Sequence, residues 1–138
     1  MDNEPNLVEI VKYLWEEYKY RHDLIWRLIF RLTFAVVILA VVPYGYSNVV
    51  LALGKRALFV PAIAPALIVL SFFLMFKELS LFKNIANKYE ELQANLGIVP
   101  VRKWPHFRDL VMTYLLCLLI LSLANLILLS SWIDGLKN

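Results

Sequence analysis

Three long runs without a charged residue limit what this chain can fold into. They cover residues 32–54, 57–76 and 110–133 and are 23, 20 and 24 residues long. A helix needs about 20 apolar residues to cross the hydrocarbon core of a bilayer. The sequence therefore predicts an all-α integral membrane protein with three transmembrane helices.

The polar segments outside these runs are too short to form a separate catalytic domain. There are 31 residues before the first run and 33 between the second and the third. Segments of that length bury too little apolar surface to fold alone. The sequence also contains no Gly-rich phosphate loop, no Ser/His/Asp set and no metal-ligand spacing. We therefore expect no enzymatic activity, no cofactor and no metal site.

The polar segments beside the first two runs are predicted to continue them as helices, which would form a cytoplasmic pair. No Pro or Gly interrupts residues 6–42, and residues 77–96 keep one apolar face before Gly97, a plausible helix stop. The predicted segments are a cytoplasmic N-terminal helix 6–26, a first span 27–46, a second span 57–76, a second cytoplasmic helix 77–97, an interfacial link 98–106 and a third span 107–132.

The distribution of basic residues predicts the orientation. With three spans, the N-terminal segment and the long 77–109 loop share one side and carry eleven basic residues, against three on the other side. Lys and Arg accumulate in cytoplasmic loops. The N-terminus is thus expected in the cytoplasm and the C-terminus outside, and membrane lipids are expected partners.

Apolar residues in the N-terminal helix follow heptad spacing and form a candidate oligomer seam. The seam begins with Val8, Val11, Trp15 and Tyr18 and continues into the first span. One interpretation is that it packs against the chain's own second cytoplasmic helix. The other is that it joins copies of the chain, and the two arrangements can coexist.

A few residues in or beside the spans are candidates for a pore or a gate. Two arginines one turn apart mark the inner entry, and they either line a pore mouth or extend to lipid headgroups. Two prolines distort the start of the second span, and two polar side chains lie deep in the third, where they join helices or line a pore. These candidates are Arg27, Arg31, Pro61, Pro65, Ser122 and Asn125. Pro43 is expected to end or kink the first span, and the path of residues 47–54 is left open.

Basic residues on the cytoplasmic segments form a candidate surface for a ligand or a protein partner. The surface comprises Lys12, Lys19, Arg21, His22, Lys83, Lys88, Arg102 and Lys103. The formal net charge of the chain is only +3, so we expect no sequence-specific binding to nucleic acid.

One segment carries a resemblance to a known group of proteins. The run Tyr18-Lys19-Tyr20-Arg21-His22, continuing through Trp26 into the first span, resembles small bacterial membrane effectors of anti-phage defence, namely the SLATT-type proteins and the Hailong channel subunits. The resemblance covers about a third of the chain. It implies oligomerisation, permeabilisation of the bacterial inner membrane, and control by a nucleotide or oligonucleotide signal that a partner enzyme makes.

Two functions therefore remain as hypotheses. The first is a homo-oligomeric pore or ion channel, an effector of abortive infection that a cytoplasmic ligand or partner controls. The alternative is a non-conducting membrane scaffold or adaptor that binds its partner through the cytoplasmic helices. A holin-like lesion former is a weaker third.

Overall fold

The structure, a computed structural model, describes residues 7–95, 97 and 107–135. All secondary-structure elements within these residues are helices. The elements are α1 (Leu7–Gly45), α2 (Ser47–Leu53), a 3-10 turn (Gly54–Leu58), α3 (Phe59–Asn95) and α4 (Phe107–Gly135). Three of the helical segments are long and apolar enough to cross a membrane. The predicted all-α class with three such helices is confirmed. The predicted 98–106 link, with Arg102 and Lys103, lies outside the described residues, and so does the expected helix start at residue 6.

The first helix continues without a break from the polar N-terminal segment into the apolar run. α1 has 39 residues and ends at Gly45, two residues after Pro43. The path that the sequence left open is a short helix, α2, whose Val50 N–H donates to the Tyr46 carbonyl at 3.0 Å. Gly54 follows with φ 57°, a left-handed conformation that favours glycine, and lies buried at the turn into α3.

The third helix is also continuous, so the second apolar run and the polar segment after it form one element. α3 has 37 residues and carries Pro65 in its interior, while Pro61 lies in the first turn, where a missing N–H costs nothing. Pro65 cannot donate to the carbonyl four residues earlier, which belongs to Pro61. Beyond the helix end at Asn95, Gly97 has φ +72° and donates to the Ala94 carbonyl.

Three apolar clusters along the bundle show how the helices pack. α1 and α3 are antiparallel, and α4 lies against both and runs parallel to α1. The clusters in order are Ile25, Ile29, Met75, Leu79, Phe82, Val111 and Leu115; then Val36, Ala64, Ile68 and Leu118; then Val50, Ala57, Leu129 and Ile133. The sides of the helices away from these clusters expose large apolar residues along all three spans.

Among the described helices, only α1 and α3 reach past the first cluster. α4 begins at Phe107, which contacts His22, so residues 7–21 of α1 and 83–95 of α3 continue beyond it as a pair. Trp15 stacks on Tyr89 with 5.5 Å between the ring centroids, and Tyr18 contacts Phe82 at 4.7 Å. We call this pair the two-helix extension. At 1.5 Å per residue it projects about 20 Å beyond the start of α4.

Candidate functional site

A hydroxyl pair joins α1 to α4 within the apolar part of the bundle. The Thr33 hydroxyl donates to the Ile29 carbonyl at 2.8 Å, and its oxygen lies 2.6 Å from the Tyr114 hydroxyl. A threonine hydroxyl has one hydrogen. Because that hydrogen is used within α1, the Tyr114 hydroxyl is the donor across the helices.

A second hydrogen bond joins the same two helices farther along. The Tyr44 hydroxyl donates to Oδ1 of Asn125 at 3.2 Å, and the Tyr44 ring packs beside Trp132 with 5.4 Å between centroids. Asn125, which the sequence marked either as a link between helices or as pore lining, is here bonded to a neighbouring helix.

The two pairs have the same spacing on both helices. Thr33 and Tyr44 are eleven residues apart, and so are Tyr114 and Asn125. Eleven residues are three helical turns, which bring a side chain back to the same face about 16 Å along the axis. We call these four residues the polar edge. Both hydrogen bonds are exposed at the surface of the chain, so the edge faces away from α3.

A cavity of about 480 Å³ opens between α1 and α4 beside the Thr33–Tyr114 pair. Its walls include Trp26, Ile29, Leu110 and Cys117, which make it mainly apolar. The arrangement offers hydroxyl and amide groups beside an apolar groove, and this suits contact with water, lipid or another helix.

An aromatic junction lies at the base of the extension. The Trp26 indole N–H donates to Nε2 of His22 at 3.1 Å, and the His22 ring lies 5.0 Å from the Phe107 ring. Phe82 completes the junction, 5.2 Å from Phe107.

An ion-pair network joins α1 and α3 at the base of the extension. The Arg21 guanidinium donates to Oε1 of Glu17 through Nε at 3.1 Å and Nη2 at 3.0 Å. Its Nη1 donates to Oε2 of Glu78 on α3 at 2.9 Å. All three side chains are partly shielded from solvent. In this conformation Arg21 is bonded to carboxylates of its own chain.

The residues that the sequence proposed for a pore lie on different faces. Arg27 and Arg31 are exposed, and they lie about 120° and 160° around α1 from Thr33. Ser122 is buried, with 5 % of its surface exposed, while Asn125 is half-buried on the polar edge. Of the two prolines in α3, Pro61 is buried and Pro65 is half-buried. The structure thus does not bring all six residues to one surface of the chain.

The residues of the proposed ligand surface also lie in different environments. Lys12, Lys83 and Lys88 are exposed, and so is Lys19, whose ammonium lies 4.9 Å from the Trp15 ring centroid. Arg21 and His22 belong to the ion-pair network and the aromatic junction described above.

The seam contacts the chain's own α3. Trp15 and Tyr18 contact Tyr89 and Phe82 respectively, although Trp15 keeps 40 % of its surface exposed. Val11 is half-buried and Val8 is exposed. This packing corresponds to the intrachain interpretation of the seam. Self-association through the same residues stays a prediction.

Sequence reasoning missed three members of the polar edge, namely Thr33, Tyr44 and Tyr114. Hydroxyl residues are frequent in spans, so each one alone is a weak signal. The matched eleven-residue spacing in two different runs is the pattern that indicates a shared, parallel face. No family model, no curated protein and no solved structure matches this chain.

Proposed function

We propose that this chain is the subunit of a homo-oligomeric pore in the bacterial inner membrane, with the polar edge turned toward the lumen. The observation that carries the proposal is that two hydroxyl-containing pairs lie on one exposed edge of an otherwise apolar bundle. Around an oligomer axis, the same edge of every copy would form two polar rings about 16 Å apart.

The solvation of polar groups favours this orientation. A hydroxyl or amide in hydrocarbon costs free energy unless it is bonded. Each edge group has at least one partner within the chain, but the Asn125 amide and the tyrosine oxygens keep further donor or acceptor capacity. Water in a lumen satisfies that capacity and lipid does not, so the edge is more stable facing a lumen.

The continuity of α1 and α3 supports control from the cytoplasm. Both helices run from the extension into the spans without a break, so a ligand that moves the extension also moves the helices at the lumen. The excess of basic residues on this side supports a cytoplasmic extension. Together with the resemblance, this supports an anti-phage effector that responds to a nucleotide or oligonucleotide signal.

In this arrangement Arg27 and Arg31 do not face the lumen. Because they lie away from the polar edge, they contact lipid headgroups or a neighbouring copy instead of the lumen. Substitution at Asn125 should therefore change ion selectivity more than substitution at Arg27.

Recordings from purified protein in planar bilayers test the pore. We expect Asn125→Asp to shift the reversal potential in a salt gradient toward cation selectivity, because it places a ring of carboxylates in the lumen. Ile127→Asp is the matched control, because Ile127 is 69 % exposed and lies about 160° from Asn125 around α4. A shift with Arg27→Glu and none with Asn125→Asp would place the lumen on the other side of α1.

An adaptor is the second candidate, and exposed aromatic residues on the extension favour it. Tyr13 and Tyr20 expose 67 % and 63 % of their surface in the segment proposed to lie in water. Tyrosines are enriched at protein interfaces. Purification in mild detergent separates the two functions, since a stoichiometric complex with another protein and no bilayer current would support the adaptor.

A further inference from the structure

We infer that copies of this chain pack head to tail through the extension and its base, with the outer face of α1 on one copy against the outer face of α3 on the next. This inference rests on the proposed homo-oligomer and names its subunit interface. The interface pairs Tyr20 with Leu81 and Asp23 with Lys77, and Lys88 meets Tyr13 and Glu16.

The outer face of α1 combines aromatic and acidic groups. Tyr13, Glu16, Tyr20 and Asp23 are all exposed. They fall within about 80° of one another around the helix, on the side opposite the residues that contact α3. Two large aromatic side chains two turns apart give this face an apolar centre with Glu16 and Asp23 beside it, and the exposed Arg27 follows one turn after Asp23.

The outer face of α3 combines aliphatic and basic groups. Lys77, Leu81 and Lys88 are exposed and fall within about 40° of one another, on the side away from Leu79 and Phe82. Leu81 keeps 46 % of its surface exposed between the two lysines. Lys77 and Lys88 are opposite in charge to Asp23 and Glu16, the α1 carboxylates proposed to meet them, and such complementary pairs favour this contact over one between like faces.

The contacts within one chain define the height of each residue, that is, its position along the axis of the helix bundle. Trp15 lies beside Tyr89, and Arg21 is bonded to Glu78, so residues of α1 and α3 at one height have numbers that add up to about 100. A rotation axis parallel to the helices moves each copy without changing its height. Tyr20 then meets Leu81, and Asp23 meets Lys77. Glu16 lies within one turn of Lys88.

The geometry of the pair predicts a closed ring. The two complementary faces are different surfaces of the helix pair, so the contact is heterologous and each copy has one free face of each kind. If the rotation that relates neighbouring copies closes into a ring, neither face is left free on any copy. α4 packs to one side of the α1–α3 pair and lies outside the line of contacts, so the polar edge is available to the lumen.

Disulfide trapping tests the interface. Cys117, the only cysteine, is replaced in Cys117→Ser, and Tyr20→Cys and Leu81→Cys are added together. Within one chain Tyr20 faces away from α3 and Leu81 lies on the flank of α3, so their Cα atoms are more than about 10 Å apart, which is too far for a disulfide. Oxidation in membranes should therefore give covalent multimers up to a closed ring.

The controls are a variant with a single cysteine and a variant whose second cysteine lies on another face of α3. Tyr20→Cys alone should give no dimer, and Tyr20→Cys with Lys83→Cys should give none either, because Lys83 is also exposed but lies about 160° from Leu81. Dimers from Tyr20→Cys alone would overturn the inference, since they require like faces to meet. A Tyr20/Leu81 pair that stays monomeric would overturn it as well.

A charge exchange gives an independent test that does not depend on oxidation. Asp23→Lys should lower the oligomeric fraction in mild detergent at least threefold, and Asp23→Lys with Lys77→Asp should restore it. Failure of the exchange to restore the oligomer would contradict the pairing.

Currents in the same preparations separate the two proposals. Currents without Tyr20–Leu81 multimers would keep the pore and reject this interface. Multimers without currents would keep the interface and reject the pore.

Discussion

The extension and the three-helix part of the molecule are built from different interactions. In the extension, Trp15 stacks on Tyr89 and Arg21 is bonded to two carboxylates. In the three-helix part, aliphatic residues fill the clusters, α1 and α4 share the two hydrogen bonds of the edge, and Lys55 in the 3-10 turn pairs with Asp134 of α4 at 3.4 Å. The extension has a polar outer surface, whereas the three-helix part has an apolar one.

The difference teaches how the same two helices would be stabilised in the two settings, water and bilayer, that the proposed function assigns to them. A pair of helices in water buries little apolar surface, so large aromatic rings and a shielded ion pair supply the contacts. In hydrocarbon the apolar surface gives no driving force between helices, so close packing and a few hydrogen bonds position them. Stability is therefore expected to depend on different residue types in the two regions.

The largest expected effect is at the position that joins both regions. Leu79 has none of its surface exposed and packs in the cluster shared by all three long helices. Leu79→Ala should lower the free energy of unfolding by about 3 kcal/mol because it leaves a cavity in that cluster. Thermal unfolding in detergent measures the change. Leu74→Ala, on an exposed face of the same helix, is the control and should cost less than about 1 kcal/mol. Equal losses for the two variants would contradict the packing described.

An intermediate effect is expected in the extension alone. Arg21→Gln removes the charge that holds Glu17 and Glu78 together, and the loss should be about 1–2 kcal/mol because the network is only partly shielded. Amide hydrogen exchange should become faster in residues 7–21 and 83–95 and stay unchanged in α4. Arg27→Gln, an exposed arginine of α1, is the matched control. Faster exchange throughout the bundle would mean that the two regions unfold together.

The smallest effect is expected at the polar edge. Tyr114→Phe removes one hydrogen bond between α1 and α4 and should cost about 0.6 kcal/mol, the usual size of such bonds between membrane helices. Unfolding in mild detergent measures the difference, with Tyr46→Phe, an exposed tyrosine, as the control. A loss above about 2 kcal/mol would show that the edge contributes far more to the fold than its hydrogen bonds suggest.

Particular residues show how far the sequence could predict the site. The spacing that starts at Val8, Val11 and Trp15 predicted one helix face, and Trp15 and Tyr18 do contact the chain's own α3. Asn125 was identified as the deepest polar group of its span, but its partner Tyr44 lies 81 residues away and no local pattern indicates the pairing. Arg21 was assigned to a ligand surface. Its partner Glu17 lies one turn earlier on the same helix, but its partner Glu78 is apparent only once α1 and α3 are aligned.

The sequence by itself determined the number of long helices, their apolar character and the continuity of α1, because these depend on local composition and on where Pro and Gly occur. The tertiary structure decided the path of residues 47–58, the parallel register of α1 and α4, and the separation of Arg27 from the polar edge. The physical reason is that hydropathy constrains which segments are helical, whereas register and facing depend on contacts between residues far apart in the chain.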